Sequence, residues 1–148
     1  MPRRIIPDVV SEQHICEQPE MSTVCEAAKH MYDCNVGALA VVDEEGRLKG
    51  IVTERDMTRR VLARNRSPKQ TKLSDIMTKS PDTLSPRDTA RDALELMRTR
   101  NYRHVPVVDG EQLVGMVSIR DLYAIVKVEL EEDMRETEAF VFGDRYGA

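Results

Sequence analysis

Two short segments carry the side chains best suited to chemistry. "GIVTERDM", Gly50–Met57, returns as "GMVSIRDL", Gly115–Leu122. Each sets a hydroxyl residue three positions ahead of an aspartate, with an arginine just before the acid: Thr53, Arg55 and Asp56, then Ser118, Arg120 and Asp121. At a helix start this spacing makes a capping box, in which hydroxyl and acid each accept a backbone N–H that the helix leaves unpaired. Aspartate reaches back less well than glutamate, so a second use competes. A carboxylate accepts hydrogen bonds from paired hydroxyls of a ligand, and a helix N-terminus attracts sugar or phosphate oxygens. The two uses are compatible. The arginines suit a phosphate, an acid at a subunit face, or solvent.

A second basic pair, Arg103 and His104, stands just ahead of "VPVV". A guanidinium forks onto phosphate, and an imidazole changes charge near neutral pH. The corresponding positions in the first half of the chain are Gly37 and Ala38, so two otherwise similar places differ in charge.

The elements that position these groups are also written twice. Thr23 and Thr89, Met31 and Met97, and Asn35 and Asn101 each stand 66 apart; Asp56 and Asp121 stand 65 apart, and Ile6 and Leu73 stand 67 apart. Val24, Ala27, Ala28 and Met31, and again Ala90, Ala93, Leu94 and Met97, trace one face of an amphipathic helix. Asn35 and Asn101 suit its left-handed C-terminal turn. Two β-branched runs around an acidic turn then predict a hairpin. A second helix follows, with Met57 and Val61 or Leu122, Ile125 and Val126 on its apolar side. Leading strands are expected near Ile15–Glu17 and Thr83–Leu84. The fold class is α/β (α+β), two β-α-β-β-α repeats at 6–64 and 73–128. A solvated linker is expected at 65–72, and an acidic helix and tail at 129–148. The last helix is expected to reach about Glu138. Its tail, "FVFGDRYGA", is left open between folding back, docking on a subunit and lying loose.

Composition bounds the rest. The chain has 148 residues, 41% hydrophobic and 32% charged, with aromatics at 4% and no Trp, so aliphatic side chains must build the core. A net charge of -4 argues against general nucleic-acid binding. No apolar run approaches the roughly 20 residues of a membrane helix. "MPRRIIPDVV" has no signal-peptide core, and three cysteines suit a reducing compartment, so a cytoplasmic location is expected. His14, Cys16, Cys25, His30 and Cys34 include no Cys-x-x-Cys and no closely spaced histidine pair, which predicts no metal site. No glycine-rich phosphate loop or nucleophile motif is present, so no enzyme activity is expected.

The paired repeats, each with "VVD", a turn and Gly-h-V-[Thr/Ser]-x-Arg-Asp, resemble a tandem pair of cystathionine-beta-synthase (CBS) domains, a Bateman module. The resemblance covers both repeats and leaves only the tail outside. It implies repeats packed through their sheets about a pseudo-two-fold axis. It also implies clefts between them that bind AMP, ADP, ATP, NAD or S-adenosylmethionine, and assembly as a homodimer. On that footing Asp56 and Asp121 would hold ribose hydroxyls, and Arg103 and His104 would meet phosphates. Ile15, Cys16, Thr83 and Val105 are candidate adenine contacts, although such residues serve equally as core. The expected function is a non-enzymatic regulatory module that needs no cofactor and signals to an effector protein. The alternative is a structural dimerisation module in which both aspartates only cap helices.

Overall fold

The computed structural model describes residues 2–11 and 14–146, with the backbone alone at 142–146. In each repeat a threonine opens the first long helix. Thr23 Oγ1 accepts from Glu26 N at the start of α1 (Val24–Cys34), and Thr89 Oγ1 from Asp92 N at α4 (Ala90–Arg100). Both helices end on an asparagine in the left-handed region, Asn35 at φ 55° and Asn101 at φ 58°, where a short polar side chain is tolerated. Their apolar faces are buried: Val24, Ala27 and Met31 in α1, and Ala90, Ala93 and Met97 in α4.

The hairpins follow as read. β2 (Ala38–Val42) pairs antiparallel with β3 (Leu48–Thr53), and β5 (His104–Asp109) with β6 (Gln112–Ser118). Each leads into a second helix, α2 (Glu54–Arg60) or α5 (Ile119–Tyr146). α5 runs past the expected Glu138 into the aromatic tail. Its first part rests Leu122 on the core, whereas Leu130, Met134, Phe140 and Val141 lie exposed. The run "VELEEDMRETEAF" consists mostly of good helix formers with no Pro or Gly, so nothing stops the helix there. Gly147 and Ala148 of the tail lie outside the described residues.

Two features depart from the expected β-α-β-β-α units. First, the segment that opens each repeat packs on the other one. Ile5 N donates to Asp88 O at 2.8 Å and Leu73 N to Ser22 O at 2.9 Å. Ile5 and Val10 join the core of the second repeat; Leu73 and Ile76, from the short helix α3 (Leu73–Ile76), and Met77 join that of the first. β4 (Thr78–Lys79) pairs with β3, completing a sheet of order β1-β2-β3-β4 in which β1 is Glu17–Pro19. The expected solvated linker is therefore tied down at its end: Thr71 is buried and its carbonyl accepts from Val24 N. Ile5 and Leu73 are equivalent by these bonds, a spacing of 68, but beyond the following turn Val10 and Met77 restore 67. Val10 N reaches back five residues to Ile5 O, whereas Met77 N reaches back four to Leu73 O, so the wider turn absorbs the extra residue.

Second, the leading strands are unequal. β1 (Glu17–Pro19) pairs parallel with β2, and Ala40 N donates to Cys16 O at 3.0 Å. In the second repeat only a single bridge forms, Leu84 to Val107. The reason is Pro106, which stands where the first repeat has Ala40. Proline has no N–H for the carbonyl of Asp82, the counterpart of Cys16, so the ladder cannot lengthen on that side.

Between the repeats, Ala38, Ala40, Val42 and Ile51 meet Met116 in a third apolar cluster. That contact sets the two hairpins against each other and leaves a cleft at the ends of their strands.

Candidate functional site

The cleft has a volume of about 1560 Å³ and draws its walls from both repeats. Strand pairing explains why the motif residues meet there. Ala38 is the Cα partner of Thr53, and His104 the partner of Ser118, so each hairpin delivers its first residue and its last hydroxyl side by side. Glu54 N donates to Gly37 O at 3.0 Å, and Ile119 N to Arg103 O at 2.8 Å, fixing the helix starts equivalently.

Both aspartates cap. Thr53 N donates to Asp56 Oδ2 at 3.0 Å and Asp56 N to Thr53 Oγ1 at 3.1 Å. Ser118 N donates to Asp121 Oδ2 at 2.9 Å and Asp121 N to Ser118 Oγ at 3.1 Å. Each box uses Oδ2 alone. Oδ1 of Asp56 faces Arg60 Nε at 3.7 Å, and Arg60 is itself anchored by donating to Ile76 O at 2.8 Å. Oδ1 of Asp121 has no hydrogen-bond or ion-pair partner among the described residues. The capping role is thus present twice, and it leaves an acceptor to spare at the second repeat.

All eight residues singled out for ligand binding line the cleft: Thr53, Arg55 and Asp56, Ser118, Arg120 and Asp121, and Arg103 with His104. Ile15 and Cys16 line it too. Thr83 and Val105 do not. Val105 is fully buried in the second core, because strand alternation sends it and Val107 inward while His104 and Pro106 face the cleft. Thr83 is exposed elsewhere.

His104 is half-buried, and burial holds its pKa below the ordinary 6.5. The charges of Glu54 and Asp121 pull it up and Arg103 pushes it down. It therefore enters neutral pH as a neutral imidazole, a hydrogen-bonding group rather than a cation. A Cβ on Gly37 would meet Glu54 Oε2 and His104 Cε1 at 3.4 Å, an ordinary van der Waals contact, so Gly37 and His104 are close neighbours across the cleft. Ala38, the counterpart of His104, is buried under the hairpin contact. A glycine with a visible steric reason is Gly50, in the motif itself. A Cβ there would lie 2.8 Å from Thr78 O, so only glycine lets β4 approach.

Sequence reading missed Glu54, Arg60 and Tyr102 in the walls. Glu54 sits inside the Thr-x-x-Asp motif at a position the pattern leaves free, and Arg60 lies four residues beyond it, so neither carries a spacing signal of its own. Tyr102 donates to Asp82 Oδ2 at 3.0 Å, a contact across 20 residues of sequence. Beside the cleft, the buried Cys16 thiol is pushed up to about 12, first by burial and then by the Cys34 thiol that hydrogen-bonds with it.

The family model for the CBS domain matches residues 6–63 and 73–127. "CBS domain-containing protein CBSX3, mitochondrial" of Arabidopsis thaliana is 40% identical over 125 residues, covering 82% of this chain and 61% of that protein. The chain thus spans less than two thirds of that relative's length. Among solved structures, the CBS domain pair of protein MJ0100 in complex with 5'-methylthioadenosine and S-adenosyl-L-methionine superposes with TM-score 0.77 at 28% identity, covering 87% of this chain and 99% of that one. CBS domain protein PAE2072 from Pyrobaculum aerophilum, complexed with AMP, gives TM-score 0.69 at 32% identity, covering 75% and 85%.

Proposed function

The chain belongs to the CBS domain family, and we propose that it is a non-catalytic regulatory module that binds an adenosine-containing ligand in the cleft between its repeats. The observation that carries this reading is the spare Oδ1 of Asp121, beside a Ser118 hydroxyl and a helix N-terminus in a cleft with ample room for a nucleotide. In this reading Asp121 accepts from the ribose hydroxyl pair. Arg103 and Arg120 meet the phosphates as bidentate donors, and His104 hydrogen-bonds as a neutral ring. Ile15 offers an apolar surface for the base. The AMP and S-adenosylmethionine bound by two related structures support the ligand class.

A ligand gripped by both repeats favours one arrangement of them over others, which gives a signal a partner can read. The exposed apolar side chains of α5 support its role as the face for a second copy or an effector. The cytoplasmic location read from the sequence remains part of the proposal. Among the described residues no helix is long and apolar enough to cross a membrane, while the Arabidopsis relative bears a mitochondrial name.

Thermal-shift titration with AMP, ADP, ATP, NAD and S-adenosylmethionine tests the reading. A true ligand at 100 times its dissociation constant adds ~2.7 kcal/mol of stability. No shift with any of them would leave the capping boxes as the whole purpose of the motif.

A further inference from the structure

Behind the wall of the cleft, the fold assembles a set of soft donors that no local spacing announced. His30 and Cys34 stand four residues apart on α1, hence on one helix face. His14 arrives from the segment that leads into β1. The donor atoms of these three side chains all lie within 4.8 Å of one another, the one such group among the described residues. A tetrahedral zinc ion with bonds of 2.0–2.3 Å spaces its donors roughly 3.3–3.8 Å apart, so a small closing movement suffices. His14 is exposed and is the side chain free to make it; it also gives an ion its way in.

The neighbours of this trio are those a metal centre uses. Gln18 Nε2 lies 3.0 Å from His30 Nδ1 and Ser22 Oγ 2.9 Å from Gln18 Oε1; with the amide turned over, Gln18 Oε1 accepts from Nδ1–H and leaves His30 Nε2 for the ion. The Cys16 thiol hydrogen-bonds with Cys34 and fixes it from the core side. Two imidazoles and one thiolate suit Zn²⁺ rather than Mg²⁺ or Ca²⁺, which take oxygen.

We propose that His14, His30 and Cys34 form a zinc-binding site with three protein ligands and water in the fourth position. Binding replaces the Cys34 thiol proton with the ion and releases that proton to solvent. The ion ties the strand-leading segment to α1. Since His14 and Cys16 also line the cleft, this fastens one of its walls. The site stands independently of the nucleotide reading, because none of its three ligands is assigned to a nucleotide.

The test uses the full chain, stripped with chelator and titrated first with Zn²⁺ and then with Co²⁺. We expect a single ion per chain and a thiolate-to-cobalt charge-transfer band. Cys34→Ser should abolish the band, and His14→Ala should weaken zinc ~10–100-fold or more, given that even outer-shell changes cost that much. His14→Ala removes an exposed side chain, so it reports on binding without disturbing the core. Cys25→Ser changes an exposed thiol outside the trio and should leave both readouts unchanged. Absence of bound ion in the unaltered chain would overturn the proposal, as would Cys34→Ser and His14→Ala variants that bind zinc like Cys25→Ser.

Discussion

The two ends of the cleft are built from the same motif and are not equivalent. At the first, Asp56 caps α2 with one oxygen and faces Arg60 with the other, and the residue beside Thr53 is Ala38, buried against the opposite hairpin. At the second, Asp121 caps with one oxygen and keeps the other, and His104 and Arg103 stand beside Ser118. The first end spends its polar groups on holding the fold together. The second keeps some back. A repeated motif therefore does not imply repeated surroundings: the capping box is shared, and the cleft-facing groups around it differ by substitutions outside it.

The sharpest way to break this contrast is to neutralise each acid in turn. Asp121→Asn is expected to weaken adenosine-ligand binding ~10-fold or more, as hydrogen bonds to a charged acceptor are worth ~1.5–3 kcal/mol. Asp56→Asn should cost clearly less, and calorimetric titration of both variants checks the order. Equal losses would erase the distinction between the ends.

The shared half of the contrast should respond equally. Thr53→Ala and Ser118→Ala each remove a cap worth ~0.5–2 kcal/mol, so both should lower the midpoint of chemical denaturation. A cap that mattered at one end alone would contradict the common framework.

His104 sharpens the difference through pH. Burial favours its neutral form in the folded state, so the unfolded chain takes up the proton first as acidity rises. Its contribution to stability is present above the ordinary value of 6.5 and is lost as pH falls through the lower folded value. Replacing it with Gln should flatten that part of the stability–pH curve. Ala38→Ser, at the matching position of the first repeat, should leave the slope intact. Denaturation midpoints between neutral and mildly acidic pH report both.

The smallest expected effect concerns the strand that the second repeat lacks. Pro106→Ala restores an N–H opposite the Asp82 carbonyl, a hydrogen bond worth about 1 kcal/mol at most after the loss of proline rigidity. Slowed amide exchange at position 106 would show the two repeats becoming more alike.

Much of this was legible in the sequence. Thr23 and Thr89, Asn35 and Asn101, and the apolar positions between them act within a few residues, so local pattern specifies both helices. Apolar runs on either side of an acidic turn specify the hairpins in the same way. The exchange of opening segments was not legible, since it rests on bonds such as Ile5 to Asp88 that span most of the chain. Pro106 could have been read: a proline where the other copy has alanine removes a strand donor. Val105 was misplaced among adenine contacts because strand parity, which sends it inward, was not applied to it. Spacing argues against His14, His30 and Cys34 because His30 and Cys34, four apart on α1, meet the third donor only through the fold, from the segment before β1.

The account stands or falls on where the sugar sits. A crystal structure of the chain with one molar equivalent of AMP tests this most directly. The account predicts the ribose hydroxyls within hydrogen-bonding distance of Asp121 Oδ1, with the phosphate toward Arg103 or Arg120. A ribose held at Asp56 alone, or equally at both ends, would contradict it.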